Sequence, residues 1–300
     1  MDQSLQESLD FIGYLIEKGG PEEHEYSKLT KGFNNILESI KRGTFRYNDL
    51  PKYWQFFRKV FLTLNTMQGF VVLKPHGYPG DFEIIDRIYQ KWRSPQEDLF
   101  RWDSYFHAQA AAKAVRNRKK YFVKVISSLA SEKQGQPVTM LNVGSGPGRD
   151  LCELFEAAEL PNISIDCVDV DKNALHYSLK LNKKNLSNLN FIHKNILRFK
   201  PDKQYDIIWS AGVFDYLSDK VFLYLLNRFK SWVKENGNII IGNFSQKNPT
   251  RPYMEFGHWF IFHRSERKLL ELAKKANFAS EQIKVEKEPE GINLFLWIQF

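Results

Sequence analysis

After the apolar run PVTMLNV the chain reads Gly144-Ser145-Gly146-Pro147-Gly148. Glycines let a backbone turn sharply and let a ligand lie against it, and Pro147 withholds one N–H from the loop. Arg149 and Asp150 then open a helix, where the dinucleotide fingerprint would place a further spaced glycine. Asp169 ends a second apolar run, ISIDCVDV, where a carboxylate can grip ribose hydroxyls. Capping the next helix is its bland alternative, and Asp171 is better placed for that. Asn195, in HKNIL, offers an amide to an adenine edge. YDIIWSA ends in Ser210 and Ala211, and runs on through Gly212 to Asp215 and Tyr216. Each position is modest alone, but four in register at successive strand ends point to a ligand site.

The elements that position them alternate. Strands are expected at 137–144, 163–170, 189–193, 205–211 and 238–244, with helices near 149–158, 172–185 and 219–234. Strands this apolar have no wet face, which implies an α/β fold with a parallel sheet covered by helices. Ligands in such sheets bind at the carboxyl ends of the strands, near the topological switch point. Before residue 137 no strand alternation occurs. Helical spacing covers 3–18, 22–42 and 52–66, and Asp81 stands at an N-cap before Phe82, Ile84, Ile85 and Ile88. A long helix is expected from Gln96 to Ala130. The division expected is a helical cap and substrate domain over 1–130 and a Rossmann-like domain over 131–300.

With 43% hydrophobic and 26% charged residues, the composition fits a globular chain with ample core. The net charge of +8 would suit an acidic partner, but the basic residues are spread along the chain, and RNRKK at 116–120 reads as a solvated helix face. Nucleic acid is therefore an unfavoured partner, and a helical cap would also deny a duplex access. Two cysteines, Cys152 and Cys167, argue against a disulfide framework or a metal cluster. No stretch of 18 apolar residues occurs and the start lacks a signal pattern, so a cytoplasmic protein is expected.

Over about residues 110–300 the pattern resembles the class I S-adenosylmethionine-dependent methyltransferases. The matching pieces are LNVGSGPGRD, CVDVDKNAL, FIHKNIL, YDIIWSAGVFDYLSD and KENGNIIIGNF. The C-terminal part looks like the last helix and strand hairpin of that fold, a mostly parallel seven-stranded Rossmann-like sheet with helices on both faces. The resemblance implies S-adenosylmethionine as cofactor. Gly144, Ser145, Gly146 and Gly148 would line its methionine portion, Asp169 with Val170 would hold the ribose, Asn195 with Ile196 would frame the adenine, and Ser210 and Ala211 would complete the cleft. Asn142 stands where the family usually has an acidic residue, and Asp150 is the substitute for gripping the donor's ammonium. HGYPGD and HWFIFHRSE are similar to a bacterial branch that makes the methyl ester of a 3-hydroxy fatty acid.

The chemistry so implied is in-line displacement at a sulfonium methyl, with nucleophile, carbon and sulfur held collinear. A sulfonium sits well against aromatic faces, at about 0.5–2 kcal/mol each; Tyr78, Tyr105, Tyr216, Tyr253 and Trp259 are the candidate wall. A carboxylate acceptor is already ionised and needs only orienting, for which Arg264, His258 and Asn243 are candidates. A hydroxyl or amine acceptor would want a base, and Asp81, Asp215 or His258 could serve. The runner-up is intramolecular: the donor's own amine attacks its gamma carbon, giving azetidine-2-carboxylate and methylthioadenosine. A cofactor binder without turnover is a third reading. In KPHGYPGDFE (74–83), a helix–helix corner explains Pro79, Gly80 and Asp81 but not His76 and Tyr78. Tyr78 is expected to face the donor or the acceptor.

Overall fold

A computed structural model describes residues 3–300. The chain divides into two compact units, one of residues up to Lys113 with 248–260, the other of 114–247 with 261–300.

The first unit is helical. α1 (Gln3–Glu17) and α2 (Tyr26–Lys41) bury the stripes their spacing announces, Leu5, Leu9, Ile12 and Ile16 against Leu29, Phe33, Ile36 and Leu37. Gly20 joins them at φ +106°, where a Cβ would come within 2.7 Å of Arg101 Cβ. The apolar stretch 52–66 is not one helix. It breaks at Phe57 into α3 (Leu50–Phe56) and α4 (Arg58–Phe61), and the chain doubles back so tightly that a Cβ on Gly69 would lie 2.0 Å from Thr63 O. Thr66 makes the turn: its hydroxyl donates to Val60 O and accepts from Gly69 N, capping α5 (Met67–Leu73). Asp81 caps α6 (Phe82–Gln90) as expected, accepting from Glu83 N and Ile84 N.

The long helix expected from Gln96 to Ala130 is instead two, α7 (Glu97–Ala108) and α8 (Ala110–Glu132), separated by extended Gln109. Thr250 Oγ1 accepts from Ala111 N at the new helix start, a tertiary cap with no local signal. That contact comes from the inserted segment 248–260, whose α12 (Arg251–Phe256) packs on α2 through Phe33, 4.7 Å from the Tyr253 ring and 5.0 Å from Phe256. The helical unit thus ends at Lys113, not at 130, and regains 13 residues from the second half. Asp103 on α7 ties the unit together by accepting from Met67 N and Ser94 N, and burial pushes its carboxyl up to about 6.

The second unit is the expected α/β layer. Its strands are β1 (Val138–Val143), β2 (Ile163–Asp169), β3 (Leu189–His193), β4 (Tyr205–Ala211), β5 (Val233–Phe244), β6 (Ile283–Lys287) and β7 (Asn293–Gln299), in the order β3-β2-β1-β4-β5-β7-β6. β1 to β5 pair in parallel and β7 runs antiparallel to both neighbours. Leu141, Val143, Ile208, Ile239 and Ile241 face α11 (Asp219–Trp232) and α13 (Glu266–Lys275). Val138, Met140, Ile165, Cys167 and Trp209 face α8 and α9 (Arg149–Ala157). α10 (Lys172–Leu181) follows β2, with Asp171 as its cap. Among the described residues no helix is long and apolar enough to cross a membrane.

Candidate cofactor site at the switch point

β1 and β4 are neighbours although β2 and β3 intervene in the chain, so the strand order reverses between them. A crevice outside their carboxyl ends is where such sheets bind ligands. Gly144, Gly146 and Gly148 all hold positive φ, at +67°, +55° and +69°. Their reasons differ. A Cβ on Gly144 would stand 2.1 Å from Val213 Cγ2, and one on Gly148 1.9 Å from Ser178 Oγ, whereas one on Gly146 would meet only Gly144 O at 4.0 Å. The outer two glycines are demanded by packing; the middle one keeps a space clear.

Asp169 stabilises that space. Its Oδ2 accepts from Gly146 N and its Oδ1 from Asp171 N, each at 2.9 Å, so the carboxylate joins the β1 loop to the β2 loop. Burial nonetheless raises its pKa, because the two N–H groups offset only part of the desolvation. Beside it Val170 is 64% exposed, an apolar face left uncovered at a strand end. Asn195 is exposed, its Oδ1 accepting from Leu197 N at 2.9 Å, while Ile196 packs on the core. Ser210, fully buried, donates to Val143 O at 3.1 Å and so clamps β4 to β1 instead of offering its hydroxyl. Ala211 follows at the rim.

Two buried polar atoms at the end of β1 have no partner, Asn142 Nδ2 and Ser145 Oγ. Buried polar groups are ordinarily satisfied, and these two orphans flank the start of the glycine loop. Asp150, at the start of α9, and Asp215, after β4, are both pushed up to about 6 by burial, against the pull of Arg118. Asp215 Oδ1 accepts from Phe244 N at 2.7 Å.

Arg118 was not expected. The RNRKK run reads as a wet face, yet Arg118 is buried in α8, and a Cβ on Gly212 would come within 3.3 Å of its Nη1. The signal was available, since Ala111, Val115, Arg118, Phe122 and Ile126 share one helical stripe.

The acceptor-side residues are redistributed. Arg264 is a brace, not a free cation: it is buried and donates to Phe214 O (3.0 Å), Asn243 Oδ1 (2.7 Å), Leu217 O and Asp219. Asn243 is consumed with it, its amide donating to Phe244 O and Phe262 O. In the helical unit Tyr105 is fully buried with its hydroxyl on Thr30, and Tyr253 is buried 5.2 Å from the Tyr105 ring, so both are core rather than pocket wall. Trp259 is buried as well, and Asp81 is spent as a cap. His76 is explained locally: it meets Glu83 at 3.0 Å and its ring lies 4.5 Å from that of Phe82, tilted by 50°. Tyr78 is half-buried, Tyr216 is 38% exposed, and His258 is half-buried against Trp54.

The raised carboxyls carry a pH signature. Asp150 binds a proton more readily folded than unfolded, so its contribution to stability is full below about pH 3.8 and lost as pH climbs through 6. His258, lowered by burial, pulls the other way near neutrality. Asp150→Asn should isolate the effect: the variant gains stability relative to the native chain as pH rises from 4 to 6.5, measured by urea unfolding. A gap that stays flat with pH would contradict it.

A model of the methyltransferase-domain family matches residues 141–239. Malonyl-[acyl-carrier protein] O-methyltransferase 2 of Ilyobacter polytropus is 26% identical over 153 residues, 48% of this chain and 57% of that protein, so the chain spans little more than half the relative's length. Among solved structures, a possible exported protein from Bordetella parapertussis aligns with TM-score 0.61 at 15% identity, over 73% of this chain and 79% of that one. Magnesium protoporphyrin IX methyltransferase from Synechocystis, solved with bound SAH, aligns with TM-score 0.51 at 12% identity over 72% and 93%. The matched residues run from the end of β1 into β5, the strands that carry the glycine loop, Asp169 and Asn195. Residues 141–239 therefore carry the methyltransferase-domain pattern, on a seven-stranded sheet with the fold of the class I S-adenosylmethionine-dependent methyltransferases.

Proposed function

We propose that this chain transfers a methyl group from S-adenosylmethionine to an oxygen of a small molecule, a carboxylate by preference. The observation that carries the reading is the cleared space at Gly146, with Asp169 locked beneath it at the switch point. When bound, the donor supplies an electrophilic methyl on sulfur. Asp169 keeps unused lone pairs for ribose hydroxyls. Asp150 stands in for the family's acid at Asn142 and holds the donor's ammonium, which lowers the cost of its own ionisation. Val170, Asn195 and Ile196 frame the adenine. The preference for a carboxylate draws on the similarity to a malonyl-acyl-carrier-protein O-methyltransferase and on chemistry, since an ionised acceptor needs no base.

Incubation with the donor, followed by mass spectrometry, tests this. S-adenosylhomocysteine is expected only when an acceptor is added; methylthioadenosine from donor alone would mean intramolecular cyclisation and overturn methyl transfer. Tyr78 we assign to the acceptor or sulfonium. Tyr78→Phe should lower kcat about tenfold or more with an unchanged unfolding midpoint. An active variant would reduce the KPHGYPGDFE corner to a corner.

A further inference from the structure

The sheet ends on β6, which among the described residues pairs with β7 alone, from Ile283↔Ile298 to Lys287↔Leu294. Outside that ladder no backbone hydrogen bond among the described residues reaches 283–287. An unpaired row of N–H and C=O groups is a template for another strand. Proteins ordinarily blunt such an edge by keeping it short and placing lysines on it. β6 has five residues, Ile283-Lys284-Val285-Glu286-Lys287, and two are lysines. Yet a glutamate stands between them, and its position decides which pairing the edge permits.

Side chains alternate along a strand, so Lys284 and Glu286 share one face and Ile283, Val285 and Lys287 the other. The two charges are held in place. Lys284 Nζ lies 2.7 Å from Glu286 Oε1 and 4.9 Å over the Trp297 ring. Glu286 accepts from the Tyr121 hydroxyl, which in turn accepts from Trp297 Nε1 at 2.6 Å. Tyr121 stacks on Phe295, with ring centres 3.9 Å apart and planes 12° from parallel. Even so, the Lys284 side chain is 62% exposed. A cavity of about 570 Å³ adjoins this face, its lining including Lys124, Lys284, Glu286 and Trp297, which leaves room for the side chains of an added strand. On the other face Ile283 and Val285 are only partly buried against the core. Antiparallel pairing of β6 with a second copy can be centred on residue 284, 285 or 286. Centred on 284 it sets Lys284 against itself, and centred on 286 it sets Glu286 against itself; like charges directly opposite are destabilising. Centred on Val285, each Lys284 faces the partner's Glu286, Val285 faces its own copy, and Ile283 lies across from the aliphatic stem of Lys287.

We propose that two copies of this chain pair through β6, antiparallel about Val285, so that their two sheets become one across a two-fold axis. A two-fold interface must be self-complementary, and of the three registers only this one is. The pairing is independent of methyl transfer and is read without donor or acceptor. Sedimentation equilibrium of the full chain should show a dimer that forms with rising protein concentration and weakens with added salt, because the charge pairs are exposed. Lys284→Glu and Glu286→Lys should each weaken dimerisation at least about tenfold, since each sets like charges opposite one another. Mixed in equal amounts, the two variants should form a heterodimer as tightly as the native chain pairs with itself, because one then presents two acids on that face and the other two bases. Mere damage to either chain would not be repaired by mixing. A second readout leaves the charges alone. Directly opposed residues lie within disulfide reach, so Val285→Cys, in a Cys152→Ser background, should link two copies on mild oxidation, whereas Lys287→Cys in the same background should not. A native chain that stays monomeric at every concentration, single variants that dimerise undiminished, a mixture no tighter than its components, or Lys287→Cys linking as readily as Val285→Cys would each overturn the proposal.

Discussion

Gly146→Ala is expected to fold and yet lose donor binding. An L-residue at φ +55° costs about 1–2 kcal/mol, which lowers the unfolding midpoint by only about 2–8 °C in a chain of this size. The new methyl group meets nothing in the protein, its nearest neighbour being Gly144 O at 4.0 Å. It would instead fill the space proposed for the methionine portion of the donor, beside the N–H that Asp169 holds in place. Calorimetry with S-adenosylhomocysteine should show affinity down about a hundredfold or more, equivalent to about 2.7 kcal/mol. Gly148→Ala is the contrasting variant. Its methyl group would lie 1.9 Å from Ser178 Oγ and 2.9 Å from Asn182 Nδ2, and Asn182 also donates to Gly148 O. α10 must move, so the loss should be global, about 2–4 kcal/mol in unfolding free energy, with or without ligand. The two glycines are two residues apart and share a backbone conformation, yet one answers to packing and the other to ligand. Undiminished S-adenosylhomocysteine binding by Gly146→Ala would mean that the loop is not the cradle.

That distinction was not legible in the sequence, where GSGPG offers three equivalent glycines. What was legible was local. Period-2 and period-3.6 patterns, with glycine or aspartate at each strand end, located the sheet and its ligand edge, because burying both faces of a parallel strand forces a continuous apolar run. Asp81 and Asp171 were legible as caps for the same reason: a cap bonds within three residues of itself. Features set by distant partners were not. The break at Gln109 depends on Thr250, far along the chain, and no proline or glycine marks it. Arg264 looks like any exposed arginine until the carbonyls of Phe214 and Leu217 converge on it. Tyr105 and Tyr253 looked like pocket aromatics, but both pack on Phe33 inside the helical core. Large aromatics serve packing first, and spacing does not reveal which of them escape it.

Asp169 offers the sharpest separation between donor recognition and scaffold. Its two oxygens each take one backbone N–H, from Gly146 and from Asp171. Asp169→Ala therefore leaves two donors without acceptors, and removes a charged acceptor whose hydrogen bonds are worth about 1.5–3 kcal/mol each. Asp169→Asn keeps one oxygen but turns an NH2 toward the other backbone N–H, donor against donor, so it is not a mild change here. Both variants should raise the donor's KM, by about a hundredfold for Asn and more for Ala, with the acceptor's KM little changed. Loop disorder alone could do as much, so the deciding measurement is a cycle against the ligand. The native chain should bind S-adenosylhomocysteine at least tenfold more tightly than its 2′,3′-dideoxy analogue, because only the former presents the hydroxyls to Asp169. In Asp169→Ala that preference should collapse to near unity, since both ligands then meet the same altered loop. If the variant still prefers the hydroxylated ligand as strongly as the native chain does, Asp169 only staples the β1 and β2 loops together, and the ribose is held elsewhere.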